Sequence, residues 1–265
     1  MRDANVRSPA KIARRLKLWP LAARVVENWP SFMYHYALGS VPAGAYEFRN
    51  GARIQIGRGV DHVPIIEIFL RQDYGTPPDD AVIVDLGAHI GVFAIYAAVT
   101  ARNARVYAYE PMASFYRLMQ DNVRLNCRAD AISGFNCAVA GASTDRELYL
   151  GGTRFFFPTL IAPEGAESAA RTPVRCTTLD DIVAVNALSR VDLLKIDIEG
   201  AEYEVLYRAR GCFEQIHEIR MEYHTIDGAE RNVEGLKRFL TGRGYRITHE
   251  RANTPTNGNL WAVRR

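Results

Sequence analysis

The chain contains no apolar run approaching the ~20 residues a bilayer-spanning helix needs, so membrane insertion is not expected. A secretory leader is not expected either, because Arg14, Arg15 and Lys17 interrupt the N-terminal apolar pattern before a leader core can form. Cysteine is sparse. Cys127, Cys137, Cys176 and Cys212 lie far apart, with no CxxC pair and no zinc spacing, which fits reduced, mostly buried thiols in a cytoplasmic protein. An excess of one charge sign is nearly absent too: a net +3 is too small to imply nucleic acid. Only four of the 33 basic residues are lysine, an arginine bias that reads as a GC-rich bacterial genome rather than a binding function. What remains is an ordinary soluble composition, 48% hydrophobic and 24% charged. At 265 residues it suits one large domain, or one with an appendage.

Residues 1–30 hold seven basic side chains against Asp3 and Glu27. Ile12 and Leu16, then Leu21, Val25 and Trp29, recur at helical spacing, with breaks at Pro20 and Pro30. A membrane-surface or acidic-partner helix is one reading; a solvated basic face whose apolar side packs on the main domain is the expected one. Trp19, Trp29, Phe32, Tyr34 and Tyr36 are then expected to cover the acceptor side of a site or a homo-oligomer interface. Tyr46–Ile56 is two alternating runs joined by Asn50-Gly51, a strong hairpin signal. A helix is predicted at about Val63–Arg71, before Pro77-Pro78.

From Ala81 onward, short apolar runs alternate with helical segments: VIVDL, RVYAYE, AISGFNCAV, VDLLKIDIE and IHEIRMEYH. Such alternation predicts parallel strands with helices on both faces. A helix near Val233–Thr241 and strands at Tyr245–Thr248 and Leu260–Val263 follow, while Gly151–Arg171 reads as a loop or lid.

In Val82–Gly91 a buried strand ends at Asp85 and is followed by Gly87 and Gly91 as a helix, Gly91–Thr100, begins. Gly87 allows close backbone approach, and the helix N-terminus offers free N–H groups to a carboxylate or phosphate. His89 and Val92 stand where a dinucleotide fingerprint needs glycines, so a nicotinamide cofactor is not expected. Asp85 instead suits a ligand whose ammonium lies near its carboxylate. Glu110, before Pro111 at the end of the second strand, can accept both hydroxyls of a ribose. An amino-acid end and a ribose together describe S-adenosylmethionine, with S-adenosylhomocysteine as product.

Ala81 to His224 resembles the FkbM family of S-adenosylmethionine-dependent methyltransferases. The resemblance is carried by Asp85–Phe93 (DLGAHIGVF), Tyr109–Pro111 (YEP), Asn122–Asn126 (NVRLN), Ala138–Gly141 (AVAG), Thr178–Ile182 (TLDDI) and above all Val191–Leu206 (VDLLKIDIEGAEYEVL). Asp61–Tyr74 (DHVPIIEIFLRQDY) resembles the stretch that often precedes the family's core, and His89 departs from the family's common Asn. The resemblance implies an α/β class I methyltransferase (Rossmann-like) fold: a seven-stranded, mainly parallel sheet with its last strand antiparallel. To this the N-terminal helical segment and hairpin are added. It divides the chain into an extension (1–44), a hairpin and helix leading into the core (45–80) and an S-adenosylmethionine-binding domain (81–265). The expected cofactor contacts are Asp85, Gly87, Ala88, His89, Gly91, Glu110, Pro111, Cys137, Ala138 and Asp197, with Asn136–Ala138 near the adenine. Cys137 is open to two readings, a small residue against the adenine or a reactive thiol.

Lys195 and Asp197 share strand parity, Glu199 lies just past the strand end, and Glu222 and His224 share parity at the end of the fifth strand. Buried charges must be paired. Lys195 is therefore either part of the catalytic group or one half of a purely structural ion pair. Asp197, Glu199 and Glu222 could supply hard oxygen ligands, but a metal is not expected. The resemblance favours O-methylation of a small-molecule hydroxyl on a sugar or polyketide-type product. Asp197 is the expected group that orients or deprotonates the acceptor, His224 is second, and Lys195 keeps Asp197 ionised; Glu199 and Glu222 are expected to contact the acceptor. A nucleic-acid acceptor is disfavoured, because KIDIEG replaces the amino-methylating motif of Asn or Asp, two prolines and an aromatic. An N-methyltransferase and a non-catalytic S-adenosylmethionine-binding module remain the alternatives.

Overall fold

A computed structural model of the chain describes residues 17–57, 60, 62–150, 158–163, 166–228 and 230–265. The predicted helical positions Ile12 and Leu16, and part of the predicted Gly151–Arg171 loop, lie outside them. Pro20 and Pro30 fall in the first turns of α1 (Trp19–Val25) and α2 (Trp29–Leu38), where the missing N–H costs nothing. Gly39 ends α2 in the left-handed conformation. Asn50-Gly51 makes the turn between β1 (Tyr46–Glu47) and β2 (Arg53–Ile54), as its sequence requires. The predicted helix over 63–71 takes another form. One α turn (Val63–Ile65) widens into a π-helical stretch, Ile66–Leu70, that buries Ile66, Ile68, Phe69 and Leu70.

The first half of the main sheet is β3 (Val82–Leu86), α3 (Val92–Thr100), β4 (Arg105–Tyr109), α4 (Ala113–Leu125) and β5 (Ile132–Phe135). The single strand read from AISGFNCAV is two: after β5 the chain leaves the sheet at Asn136, and β6 (Ala138–Val139) pairs elsewhere. Asn136 drives the break, because its amide donates to the carbonyls of Glu110 and Pro111. A side hairpin, β7 (Arg146–Tyr149) with β8 (Arg171–Val174), flanks the predicted Gly151–Arg171 loop and takes in only its last residue. Then β9 (Cys176–Thr177) pairs with β6.

The second half is α5 (Leu179–Val185), β10 (Val191–Ile196), α6 (Glu202–Arg208), β11 (Ile216–His224), α7 (Val233–Gly242), β12 (Tyr245–Ala252) and β13 (Asn257–Arg264). The seven strands lie in the order β12-β13-β11-β10-β3-β4-β5. The last strand in the chain, β13, is antiparallel to both neighbours. The expected sheet is the observed one.

Strand alternation sends Ile83 and Leu193 into one core, and Val84, Leu86, Leu194 and Ile196 into the other. The first core also takes Ala22, Val26, Phe32 and Met33 from α1 and α2, so the extension packs its apolar side on the main body. Two of its aromatics stay outside: Trp19 is 54% and Tyr34 61% exposed.

Candidate active site

Three strand ends converge at the carboxyl edge of the sheet, where α/β sheets bind ligands. After β3, Gly87 turns with φ 77°, and a Cβ built there would lie 1.8 Å from the Asp197 carbonyl oxygen. Only glycine lets these two loops touch. The amides of Gly87 and Ala88 both donate to the Tyr109 carbonyl at 3.0 Å. His89 follows at φ 52°, and Gly91 at φ 82° precedes α3. Beyond β4, the Glu110 carboxylate accepts the His89 and Met112 amides, each at 2.8 Å, and so clasps the first loop to the second.

Parallel register sets Asp85, Lys195 and Arg220 side by side on adjacent strands. Lys195 Nζ lies 3.0 Å from Asp85 Oδ1 and 3.8 Å from Asp197 Oδ2, and donates to the Gly87 carbonyl at 2.8 Å. Burial works against this ammonium, but the Asp85 and Asp197 carboxylates outweigh it and hold its pKa above that of free lysine.

A cavity of about 1010 Å³, its open mouth included, lies over this edge. One end is walled by Gly87, Ala88, His89, Glu110, Pro111 and Ala138. The other is acidic, with Glu67, Asp197, Glu199 and Glu222 beside Tyr74. Burial, reinforced by neighbouring carboxylates, raises Glu67 to about 7, Glu199 to about 8 and Glu222 to about 9. The Tyr74 hydroxyl donates to Asp197 Oδ2 at 3.0 Å. Among the described residues, no three of the His, Cys, Asp and Glu side chains come together as metal ligands.

Ten of the fourteen residues singled out from sequence wall this cavity: Gly87, Ala88, His89, Glu110, Pro111, Ala138, Lys195, Asp197, Glu199 and Glu222. Asp85 does not. It is fully enclosed and paired with Lys195, so it is no open partner for a ligand ammonium. Gly91 lies behind the wall, pressed on Met119. Half-buried Cys137 packs against the apolar core while Ala138 faces the cavity, and burial pushes its thiol up to about 11, which disfavours a reactive thiolate. His224 also stands behind the wall: Nδ1 is 3.0 Å from Glu202 Oε1 and Nε2 is 3.5 Å from Glu199 Oε2. Burial opposes its charge, but these carboxylates override it and raise His224 to about 10. An imidazolium at neutral pH accepts no proton, and both ring nitrogens face carboxylates behind the wall, which disfavours His224 as the base.

The described part of the N-terminal extension contributes nothing to the cavity wall, so of its two expected positions, over the acceptor or at an oligomer interface, the first is not seen. The segment after it does. Glu67 and Tyr74 were missed, although an acid inside the apolar run Pro64–Leu70 was a visible anomaly.

The Methyltransferase FkbM domain family matches residues 85–247. The chain is 29% identical over 230 residues to Methyltransferase sdnD of Sordaria araneosa, covering 73% of this chain and 85% of that protein. It is 28% identical over 211 residues to the 31-O-demethyl-FK506 methyltransferase FkbM of Streptomyces tacrolimicus, covering 69% and 78%. Among solved structures, Methyltransferase FkbM from Methylobacillus flagellatus KT superposes with a TM-score of 0.51 at 17% identity, over 96% of this chain and 60% of that one. That likeness establishes the class I methyltransferase fold.

Proposed function

This chain belongs to the FkbM family of S-adenosylmethionine-dependent methyltransferases, and within it we propose that it O-methylates a hydroxyl of a small molecule, of the sugar or polyketide kind. The observation that carries the proposal is the setting of Asp197. Its Oδ2 accepts from Tyr74 and lies near Lys195, while no hydrogen bond among the described residues ends on Oδ1. An acceptor hydroxyl can bond that oxygen and lose its proton there. Among the described residues, the acidic end offers a carboxylated or phosphorylated acceptor no free cation, because Lys195 is committed to Asp85 and His224 to Glu199 and Glu202. One relative acts, by its name, at an oxygen of 31-O-demethyl-FK506.

The cofactor end fits S-adenosylmethionine: a glycine loop that tolerates no Cβ at 87, and a carboxylate at 110 fixed by two amides. Gly87, Ala88, His89, Glu110, Pro111 and Ala138 would hold it. When bound, it supplies a methyl group on a sulfonium whose departure leaves a neutral thioether. Alignment of the acceptor by Asp197, Glu199 and Glu222 then supplies much of the rate. We divide the labour accordingly: residues 81–265 bind cofactor, 45–80 complete the acceptor wall, and the extension to 44 buttresses one face or an oligomer contact. The free cysteines support a reducing, cytoplasmic setting, and no helix of the described residues is long and apolar enough to cross a membrane.

The test is S-adenosylhomocysteine release across a hydroxyl-compound panel, with the methylated atom identified by NMR. Methylation at nitrogen would overturn the proposal, and binding without turnover on any acceptor would favour a non-catalytic module.

A further inference from the structure

We propose that Lys195 is a positioning residue for the cofactor loop, acting through the Gly87 carbonyl. Its side chain is only 4% exposed and its donors are already spent: on Asp85 at 3.0 Å, on the Gly87 carbonyl at 2.8 Å and more weakly on the Leu86 carbonyl at 3.4 Å. The Tyr74 ring, 5.4 Å from Nζ, caps it on the remaining side. An ammonium so enclosed is in no position to take or give a proton at an acceptor hydroxyl.

The loop it touches is held elsewhere by the Ala88 amide on Tyr109 and the His89 amide on Glu110, but the Gly87 peptide itself has few ties. Gly87 has no side chain, turns at φ 77° and presses against the Asp197 carbonyl. Its amide is tied to Tyr109, on the β4 side. Its carbonyl is tied, among the described residues, only to Lys195, on the β10 side. The Gly87 peptide is thus held between the two strands that flank β3, and Lys195 is one of its two ties among the described residues. Register explains why a lysine can do this: Lys195 is the direct partner of Asp85, so its stem runs along the strand edge to the first turn beyond β3. Neutralising Asp85 is a separate task, and the two can be pulled apart by experiment.

The proposal rests on the cofactor lying against Gly87–His89, which the effect of Glu110→Ala on affinity tests independently. Full-length wild type, Lys195→Met and the double variant Asp85→Asn/Lys195→Met are titrated with S-adenosylhomocysteine by calorimetry. Melting temperature and amide exchange over residues 84–93 are measured in parallel. Lys195→Met leaves a buried charge alone and should melt lower; the double variant removes that charge and should regain melting temperature. Affinity should not return with it. Both variants should bind about 10–100-fold more weakly, the usual worth of a charged hydrogen bond, and exchange faster at the loop. A double variant that recovers wild-type affinity, or a folded Lys195→Met that never lost it, overturns the proposal. If Lys195→Met does not fold, the double variant decides alone. If neither folds, Asp85→Asn, which keeps the tie to Gly87, must melt lower while holding its affinity; a matched loss of both overturns the proposal.

Discussion

Tyr74 and Asp197 are 123 positions apart in the chain, yet the hydroxyl of one donates to the carboxylate of the other at 3.0 Å. The segment carrying Tyr74 is fastened from the far side of the sheet. Arg220 Nη1 donates to the Tyr74 carbonyl at 2.6 Å and Trp261 Nε1 to that of Asp73 at 3.3 Å. The buried Asp73 carboxylate takes Arg71 and Arg251, each at 2.7 Å. Asp197 is therefore oriented by a residue that does not belong to the cofactor-binding half of the fold. Asp197→Asn keeps the shape and removes the base. Turnover on an identified acceptor should fall about 10²–10⁴-fold, with little change in cofactor affinity, and a chelator should leave the wild type active. Full turnover in the variant, or loss of activity on chelation, would show that these carboxylates serve another purpose.

Glu110 gives a prediction that needs no acceptor. Removing it with Ala should weaken S-adenosylhomocysteine binding about 10–100-fold. Burial raises this carboxyl to about 7, against the pull of the Met112 and His89 amides. Ribose hydroxyls donate to the ionised form, so binding favours loss of the proton. Affinity should thus be full above pH ~7 and decline below it, by at most about tenfold per pH unit. Calorimetry from pH 5.5 to 8 reads this directly; in Glu110→Gln the same decline should be absent.

Strand alternation, the Asn50-Gly51 turn and the spacing of Asp85, Gly87 and Glu110 were all legible, because each is a local rule of backbone geometry or periodicity. The roles of Asp85 and His224 were not. Sequence places both at strand ends, but only the register of β3 on β10 closes Asp85 behind Lys195, and only the course of α6 brings Glu202 to His224. Tyr74 was hidden for the same reason. Its partner lies on a strand far along the chain, and the π-helical turn that swings Glu67 toward the cavity has no periodic signature.

Gly87→Ala should be among the most damaging single-methyl changes in the chain. The positive φ alone costs roughly 1–3 kcal/mol for a non-glycine residue. The methyl must also displace the Asp197 backbone carbonyl, which lies 1.8 Å from the ideal Cβ. At about 2–4 °C per kcal/mol for a chain of this size, the melting temperature should drop by several degrees and cofactor affinity should fall with it. A variant with unchanged melting and binding would mean the two loops are further apart than described.

His224 makes its prediction through pH. The folded protein holds it at about 10, against an ordinary 6.5, because Glu202 and Glu199 favour the imidazolium more than burial disfavours it. A group whose folded pKa is raised contributes stability that is fully present below its unfolded pKa and is lost as pH rises through the folded one. The stability gap between wild type and His224→Gln should therefore be widest at pH 6, still open at pH 8, and nearly closed by pH 10. Urea unfolding at those three values measures it. Should the gap stay constant across that range, the imidazole is neutral in the folded protein and the Glu202 and Glu199 carboxylates do not hold a charged partner.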